Sequence, residues 1–189
     1  MNSLISRKLK IIIIDAPSLT KKQIKDKKGL QALCFGSLDP QEIEEDFCHP
    51  ETAHVLAYLN KQLSGWAGIH LENTIYNNKK IKLGGFGICT HPKHRQKGIA
   101  SKVSQKAMGY LKQQKCDLAF LSIDPSKKGP KELHQKTGFV SLPNNFSWIS
   151  RSGKRKLGKE GMIAPLSSPK IFKQILNGKE ILHIAKGYW

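Results

Sequence analysis

The stretch that most limits what this chain can fold into is residues 84–100, GGFGICTHPKHRQKGIA. An apolar run closes at Thr90, Pro92 follows, and a basic turn containing Gly98 opens a segment with apolar residues at Ile99, Val103, Ala107, Tyr110 and Leu111. That spacing places them on one face of an amphipathic helix. A strand, a glycine-bearing basic turn and a helix in that order commonly bind phosphate. The first N–H groups of a helix have no intrahelical partner and carry the positive end of its dipole. The other phosphate signatures fail: there is no GxxxxGK[ST], and Gly85-x-Gly87 has Thr90 where a dinucleotide fingerprint needs its third glycine.

The flanking sequence supplies a sheet. Residues 8–15 read as a strand, with Ser18 the N-cap of a helix that reaches Phe35 across a weak point at Gly29. Residues 36–50 form an acidic connection with a short helix over 42–47. Residues 53–59, 64–71 and 81–90 read as three antiparallel strands joined by turns at Asn60-Lys61-Gln62 and Asn77-Asn78-Lys79-Lys80. The apolar run 118–123 has the pattern of a buried central strand. Pro130 opens a helix that Gly138 ends, and 139–142, 146–149 and 161–166 are further strands around a basic loop, 151–159. The predicted class is α+β: a mixed, mainly antiparallel sheet of six to seven strands flanked by about four helices. At 189 residues the chain reads as one domain, 1–189, long enough for a core without staples.

The net charge of +18 predicts attraction to nucleic acid, an anionic membrane or a phosphorylated cofactor, or else a lysine-rich solvated surface. Against it stands an acidic island, Asp39, Glu42, Glu44, Glu45, Asp46 and Glu51, with no Lys or Arg among them. It suits a cationic ligand, or serves as the acid-rich start of a helix. Cys34, Cys48, Cys89 and Cys116 lack CxxC spacing and read as free thiols. The His91-x-x-His94 pair has no second ligand pair, so no metal site is expected. The IIII run at 11–14 is too short for a signal-peptide core and no run approaches a membrane span, which places the chain in the cytoplasm.

Three features together resemble the GNAT N-acetyltransferase superfamily: the element order, the Arg95-x-x-Gly98-x-Ala100 turn between fourth strand and long helix, and LHQKTGF at 133–139. Within it the chain is most similar to the aminoglycoside 2′-N-acetyltransferases, through the acid–aromatic pair Asp46-Phe47, the strand–loop–strand end and the terminal Trp189. The resemblance implies acetyl-CoA as acyl donor and a small amine as acceptor. By position, the backbone of Ile88, Cys89 and Thr90 would pair with the pantetheine arm, and a bulge in that strand would turn one N–H to the thioester oxygen. Arg95, Gln96, Lys97, Gly98, Ile99, Ala100 and Ser101 would cradle the pyrophosphate, and Pro125 and Ser126 would flank the cofactor. Glu45, Asp46, Phe86 and the Trp189 carboxylate would meet the acceptor.

Two positions depart from the family. His134 stands where a tyrosine is thought to protonate the leaving thiolate. Imidazole is able to fill that role as general acid; the alternative is an exposed helix-face histidine with catalysis resting on positioning. Phe86 replaces a family Glu, and Lys186-Gly187-Tyr188 lacks the family's acid near the terminal Trp. An acceptor with one amine beside an apolar or aromatic group therefore fits better than a polycation. The acceptor's proton would go to Asp124 or to a water chain. Two other readings stay open. One is transfer of a longer acyl chain along a channel lined by Phe86 and Trp66. The other is a nucleic-acid- or protein-binding module using Arg151, Lys154, Arg155, Lys156 and Lys159. A homodimer is compatible with any of them.

Overall fold

The computed structural model describes residues 9–36, 45–46, 49–124 and 128–188. In chain order the strands and α-helices are β1 (Leu9–Asp15), α1 (Lys21–Phe35), β2 (Ala53–Leu59), β3 (Gln62–Tyr76), β4 (Lys79–Thr90), α2 (Ile99–Gln113), β5 (Leu118–Ser122), α3 (Lys128–Lys136), β6 (Val140–Ser141), β7 (Phe146–Ile149), β8 (Arg155–Gly158), β9 (Gly161–Pro165), α4 (Pro169–Asn177) and β10 (Leu182–Lys186). One mixed sheet has the order β1-β2-β3-β4-β5-β9-β6, and β10-β7-β8 form a smaller one. The class is α+β, with four helices of full extent and a seven-stranded main sheet among the described residues, in agreement with the sequence.

Two tight turns make β2, β3 and β4 an antiparallel meander. Asn60 and Lys61 have φ of 50° and 67°, and Asn77 and Asn78 have 49° and 61°. Positive φ at both central positions gives the turn whose twist matches that of the flanking strands, and asparagine adopts it at low cost. Strand β3 runs to Tyr76, beyond the predicted end at Leu71, because β4 pairs with it as far as Tyr76↔Lys79. Helix α1 starts on a capping box: Thr20 Oγ1 accepts from Gln23 N while Gln23 Oε1 accepts from Thr20 N.

The sheet buries both faces. On one, Ile99, Val103, Ala107 and Leu111 of α2 pack on Ala57, Ala67, Ile69 and Phe86 with Phe139. On the other, Leu30 of α1 packs on Leu56, Leu63, Trp66 and Cys89. A third cluster, including Phe120, Phe146, Trp148, Ile175 and Ile184, joins the small sheet and α4 to the main sheet. The sequence reading left β8 in the basic loop and did not include α4 or β10. Strand β8 has no apolar alternation of its own, and its antiparallel pairing with β7 defines it. The short helix expected at 42–47 lies largely outside the described residues; of it, Glu45 and Asp46 are described and helical.

Candidate active site

The site begins where the main sheet opens. Strands β4 and β5 are parallel and pair over three positions, Leu83↔Leu118, Gly84↔Ala119 and Gly85↔Phe120. Beyond them β4 continues to Thr90 and β5 to Ser122 without pairing to each other. Strand alternation fixes which groups face the gap. Lys82 N donates to Asp117 Oδ2 and Lys82 O accepts from Asp117 N, so the even-numbered residues of β4 address the β5 side. His91 N donates to Ser64 O, on the β3 side. Ile88 and Thr90 thus direct their N–H and C=O into the gap, and Cys89 directs its own toward β3. An edge of this kind can take an extended, amide-bearing chain as an added strand. The β3–β4 register is continuous from Gly65↔Thr90 to Tyr76↔Lys79, so the bulge expected in β4 is absent. A register shift occurs one strand away, between Ala57 and Tyr58. Divergence of β5, not a bulge, leaves the β4 edge open.

The basic turn follows directly. Arg95 Nε donates to Thr90 O at 3.4 Å and Lys97 Nζ to Lys93 O at 3.2 Å, and His94 Nδ1 lies 2.7 Å from Ser64 Oγ. Gln96 and Gly98 take φ of 59° and 73°. Gly98 is the N-cap of α2, and no side chain caps that end and no acid lies in its first turn. The first intrahelical bond is Lys102 N to Gly98 O at 3.2 Å, which leaves the N–H groups of Ile99, Ala100 and Ser101 ahead of it. A side chain at Gly98 would meet no atom within 4 Å, but its left-handed backbone disfavours any residue with a Cβ. Beneath the turn, Gly65 lets the sheet approach α2: a Cβ there would lie 2.6 Å from Ile99 Cγ2.

His134 sits at the end of α3, 4% exposed, with its ring centroid 6.0 Å from Phe86 and 5.6 Å from Phe139. It is a buried histidine, not an exposed one. Its Nδ1 is buried without a hydrogen-bond partner, as is Thr90 Oγ1 at the gap. Burial holds the His134 pKa down to about 4, so the ring is uncharged at neutral pH. Phe86 is 2% exposed and packs between Phe139 and His134 as the floor of the α2 face. Trp66 pairs across strands with Cys89, and Phe86 with Ile69, so the two rings lie on opposite faces of the sheet and do not line one channel.

The acids expected to meet an acceptor are engaged with the small sheet. Asp46 is 2.7 Å from Lys156 Nζ and accepts from Trp148 Nε1 at 3.4 Å. Glu45 accepts from Ser152 Oγ, and its hydrogen bonds to Ser150 and Ser152 hold its pKa down to about 2. In the basic loop, Arg155 donates to Ser147 Oγ at 3.1 Å and Lys156 to Asp46. Asp124 is exposed at the end of β5. Pro125, Ser126 and Trp189 lie outside the described residues. Burial pushes the Cys89 thiol above its ordinary range. The sequence reading passed over a polar group on the α1 face. Lys27 Nζ lies 2.5 Å from Glu51 Oε2 and His49 Nε2 2.8 Å from Glu72 Oε2. These residues are far apart in sequence, and only Glu51, within the acidic island, gave any signal.

A splayed parallel pair opening beside an uncapped, basic helix N-terminus has the geometry to take an extended ligand that carries phosphate. The match to the acetyltransferase (GNAT) family model covers residues 25–139, and the chain belongs to that family. It is therefore an acetyltransferase with acetyl-CoA as its acyl donor. The residues present fit that donor: the open backbone edge at Ile88 and Thr90, the orphaned Thr90 Oγ1 and His134 Nδ1, and the bare Gly98. Solved structures share the fold. Escherichia coli ElaA is 15% identical with a TM-score of 0.60, over 82% of this chain and 99% of that one. The E. coli ribosomal-protein-S18-alanine N-acetyltransferase is 10% identical with a TM-score of 0.54, over 84% and 95%. Salmonella typhimurium yncA, solved with its cofactor acetyl-CoA, is 13% identical with a TM-score of 0.56, over 84% and 94%. No curated protein matched the sequence. Among the described residues, no helix is long and apolar enough to cross a membrane.

Proposed function

We propose that the chain transfers the acetyl group of acetyl-CoA to an amine of a small-molecule acceptor. The observation that carries this reading is the open β4 edge leading straight into the uncapped start of α2. Bound acetyl-CoA supplies an electrophilic thioester carbonyl. The N–H groups of Ile99, Ala100 and Ser101, with Arg95 and Lys97 beside them, hold its phosphates. The N–H and C=O of Ile88 and the N–H of Thr90 would align the pantetheine amides, while Thr90 O is taken by Arg95 Nε and Cys34 Sγ. The Ile88 N–H, fixed in the strand and directed into the gap, would be the donor available to offset negative charge developing on the thioester oxygen. His134, uncharged, offers a ring N–H to the departing sulfur. A neutral imidazole donates such a hydrogen bond without delivering a full proton, and the proton released by the attacking amine would pass, through Asp124 or a water chain, to the thiolate.

The acceptor is a neutral amine when it attacks, and it carries one amino group near an apolar surface in preference to many. An aminoglycoside-like polyamine belongs in the same panel of candidates, with Asp46 as the carboxylate it would address after displacing Lys156. Calorimetric titration with acetyl-CoA, then thiol release across an amine panel, tests the reading. Saturable acetyl-CoA binding and amine-dependent thiol release support it. Absence of acetyl-CoA binding overturns it.

A further inference from the structure

An acceptor has to reach the β4 edge, and on the α2 face Phe86, Phe139, Ile99 and Val103 fill the way. On the opposite face β4 presents Gly87, partly exposed, with no atom within 4 Å of where its Cβ would stand. Its cross-strand partner is Gly68, which is bare for a different reason. A Cβ on Gly68 would overlap the carboxylate of Glu51 and lie 2.6 Å from Trp66 Cζ2. Glu51 thus lays its carboxylate on the backbone of β3, one strand from the open notch. The bond from Thr52 N to Ile69 O, at 2.7 Å, fixes the segment that carries it.

That carboxylate already holds an ammonium group. Lys27 Nζ, reaching in from α1, is 2.5 Å from Glu51 Oε2 and 5.4 Å from the centroid of the Trp66 ring. The indole is itself held in place, since Trp66 Nε1 donates to His54 Nδ1 at 3.2 Å. A carboxylate with an adjoining aromatic face is how proteins recognise alkylammonium ions. A partly buried ion pair gains little over an apolar contact of the same size, so stability alone does not account for this arrangement. Lysine carries its ammonium on an unbranched, flexible stem, the same chemistry as an alkylamine.

The geometry points to Glu51 and Trp66 as the seat of the acceptor's ammonium group, filled in the resting protein by Lys27 and vacated when an acceptor displaces it. The acceptor class is then a primary amine on an unbranched alkyl chain, which leaves one proton on the Glu51 carboxylate and passes over bare Gly87 to the β4 edge as the neutral amine that attacks. This inference rests on the acetyl-transfer reading above. It also supplies the acid missing at Phe86, from a neighbouring segment and on the face that Phe86 does not address.

The test uses the full chain labelled with nitrogen-15 and follows its three tryptophan indole N–H signals, with Trp66 assigned by Trp66→Phe. Titration with n-pentylamine hydrochloride shifts the Trp66 signal saturably, and n-pentanol does not. Glu51→Gln, which keeps the shape against Gly68, weakens the apparent affinity at least about tenfold. Lys27→Ala, which removes the resident competitor, tightens it. In thiol-release assays the KM for n-pentylamine follows the same opposite signs while the KM for acetyl-CoA stays constant. A merely structural ion pair predicts that both variants lower Tm and neither changes amine binding, and that result overturns the proposal. So does an unmoved Trp66 signal in Lys27→Ala, which frees the seat without touching Glu51. Acetyl-CoA binding without amine binding refutes the seat and leaves the transferase reading intact. Amine binding without acetyl-CoA binding refutes the transferase reading and with it the acceptor role.

Discussion

Substituting Gly65 by alanine should displace the turn ahead of α2 without replacing any residue to which a ligand contact is assigned. The added methyl would stand 2.6 Å from Ile99 Cγ2, 3.2 Å from Val103 Cγ2 and 3.4 Å from Ala57 Cβ. Both α2 contacts are methyl groups on β-branched side chains with one favoured helical rotamer, and both residues are almost fully buried, Ile99 at 1% and Val103 at 0%. The clash is therefore relieved by moving the first turn of α2. Overpacking of this kind costs about 1–3 kcal/mol, which for a chain of this size lowers Tm by about 2–12 °C. The displaced turn carries the Ile99, Ala100 and Ser101 N–H groups, so affinity for acetyl-CoA falls about tenfold as well. Ile99→Ala alone costs about 2–5 kcal/mol through its cavity. In the double variant the Gly65 methyl enters that cavity, and the two costs sum to about 1–2 kcal/mol less than additivity. Gly109→Ala is the control: it lies within α2 with nothing within 4 Å of its Cβ position, and it should stabilise by about 0.5–1 kcal/mol. Scanning calorimetry and acetyl-CoA titration read all four variants. Strict additivity, or a Gly65→Ala protein with unchanged Tm and affinity, would refute the close approach as what holds the turn.

His134 makes stability depend on pH. Its folded pKa of about 4 lies below the ordinary 6.5, so the unfolded chain binds more protons in that window. Stability is therefore complete above pH 6.5 and is lost as pH falls to 4, by about 3 kcal/mol. His70, held at about 3 by burial, extends the loss below that. Thermal melts from pH 7 to 4 should show the decline, and His134→Gln should flatten its upper part; parallel curves for the two proteins would count against the assignment. His134→Gln also reports on turnover, with kcat falling while the KM for acetyl-CoA holds. Arg95→Gln, at an exposed brace from the turn to Thr90 O, should weaken acetyl-CoA binding about tenfold with Tm nearly unchanged. Cys89→Ala should keep turnover within about twofold, since burial keeps the thiol protonated and unfit as a nucleophile; loss of turnover with an intact fold would point to a covalent route.

Wherever local chemistry decides the structure, the sequence was legible. Helix α2 followed from one apolar stripe, and the hairpins from Asn60-Lys61 and Asn77-Asn78, where asparagine tolerates positive φ. The basic turn ahead of α2 followed from Gly98 beside Arg95 and Lys97, because glycine takes the left-handed conformation of this N-cap at low cost. Strand β8 and helix α4 were not legible in the same way. Arg155–Gly158 becomes a strand through pairing with β7, and α4 was left in a C-terminal stretch in which the sequence reading picked out no pattern.

Tertiary structure alone decided the character of the site residues. His134 carries no sign in the sequence that it is buried; Phe86 and Phe139 close over it only when α3 packs on the sheet. The opening between β4 and β5 exists because pairing stops at Gly85↔Phe120, a property of two strands about thirty residues apart. Lys27, Glu51 and Trp66 meet because α1, the segment before β2 and strand β3 come together beside bare Gly68. Sequence sets which groups are available. Burial and distance, which set their charge state and their partners, arise only once the sheet is covered on both faces.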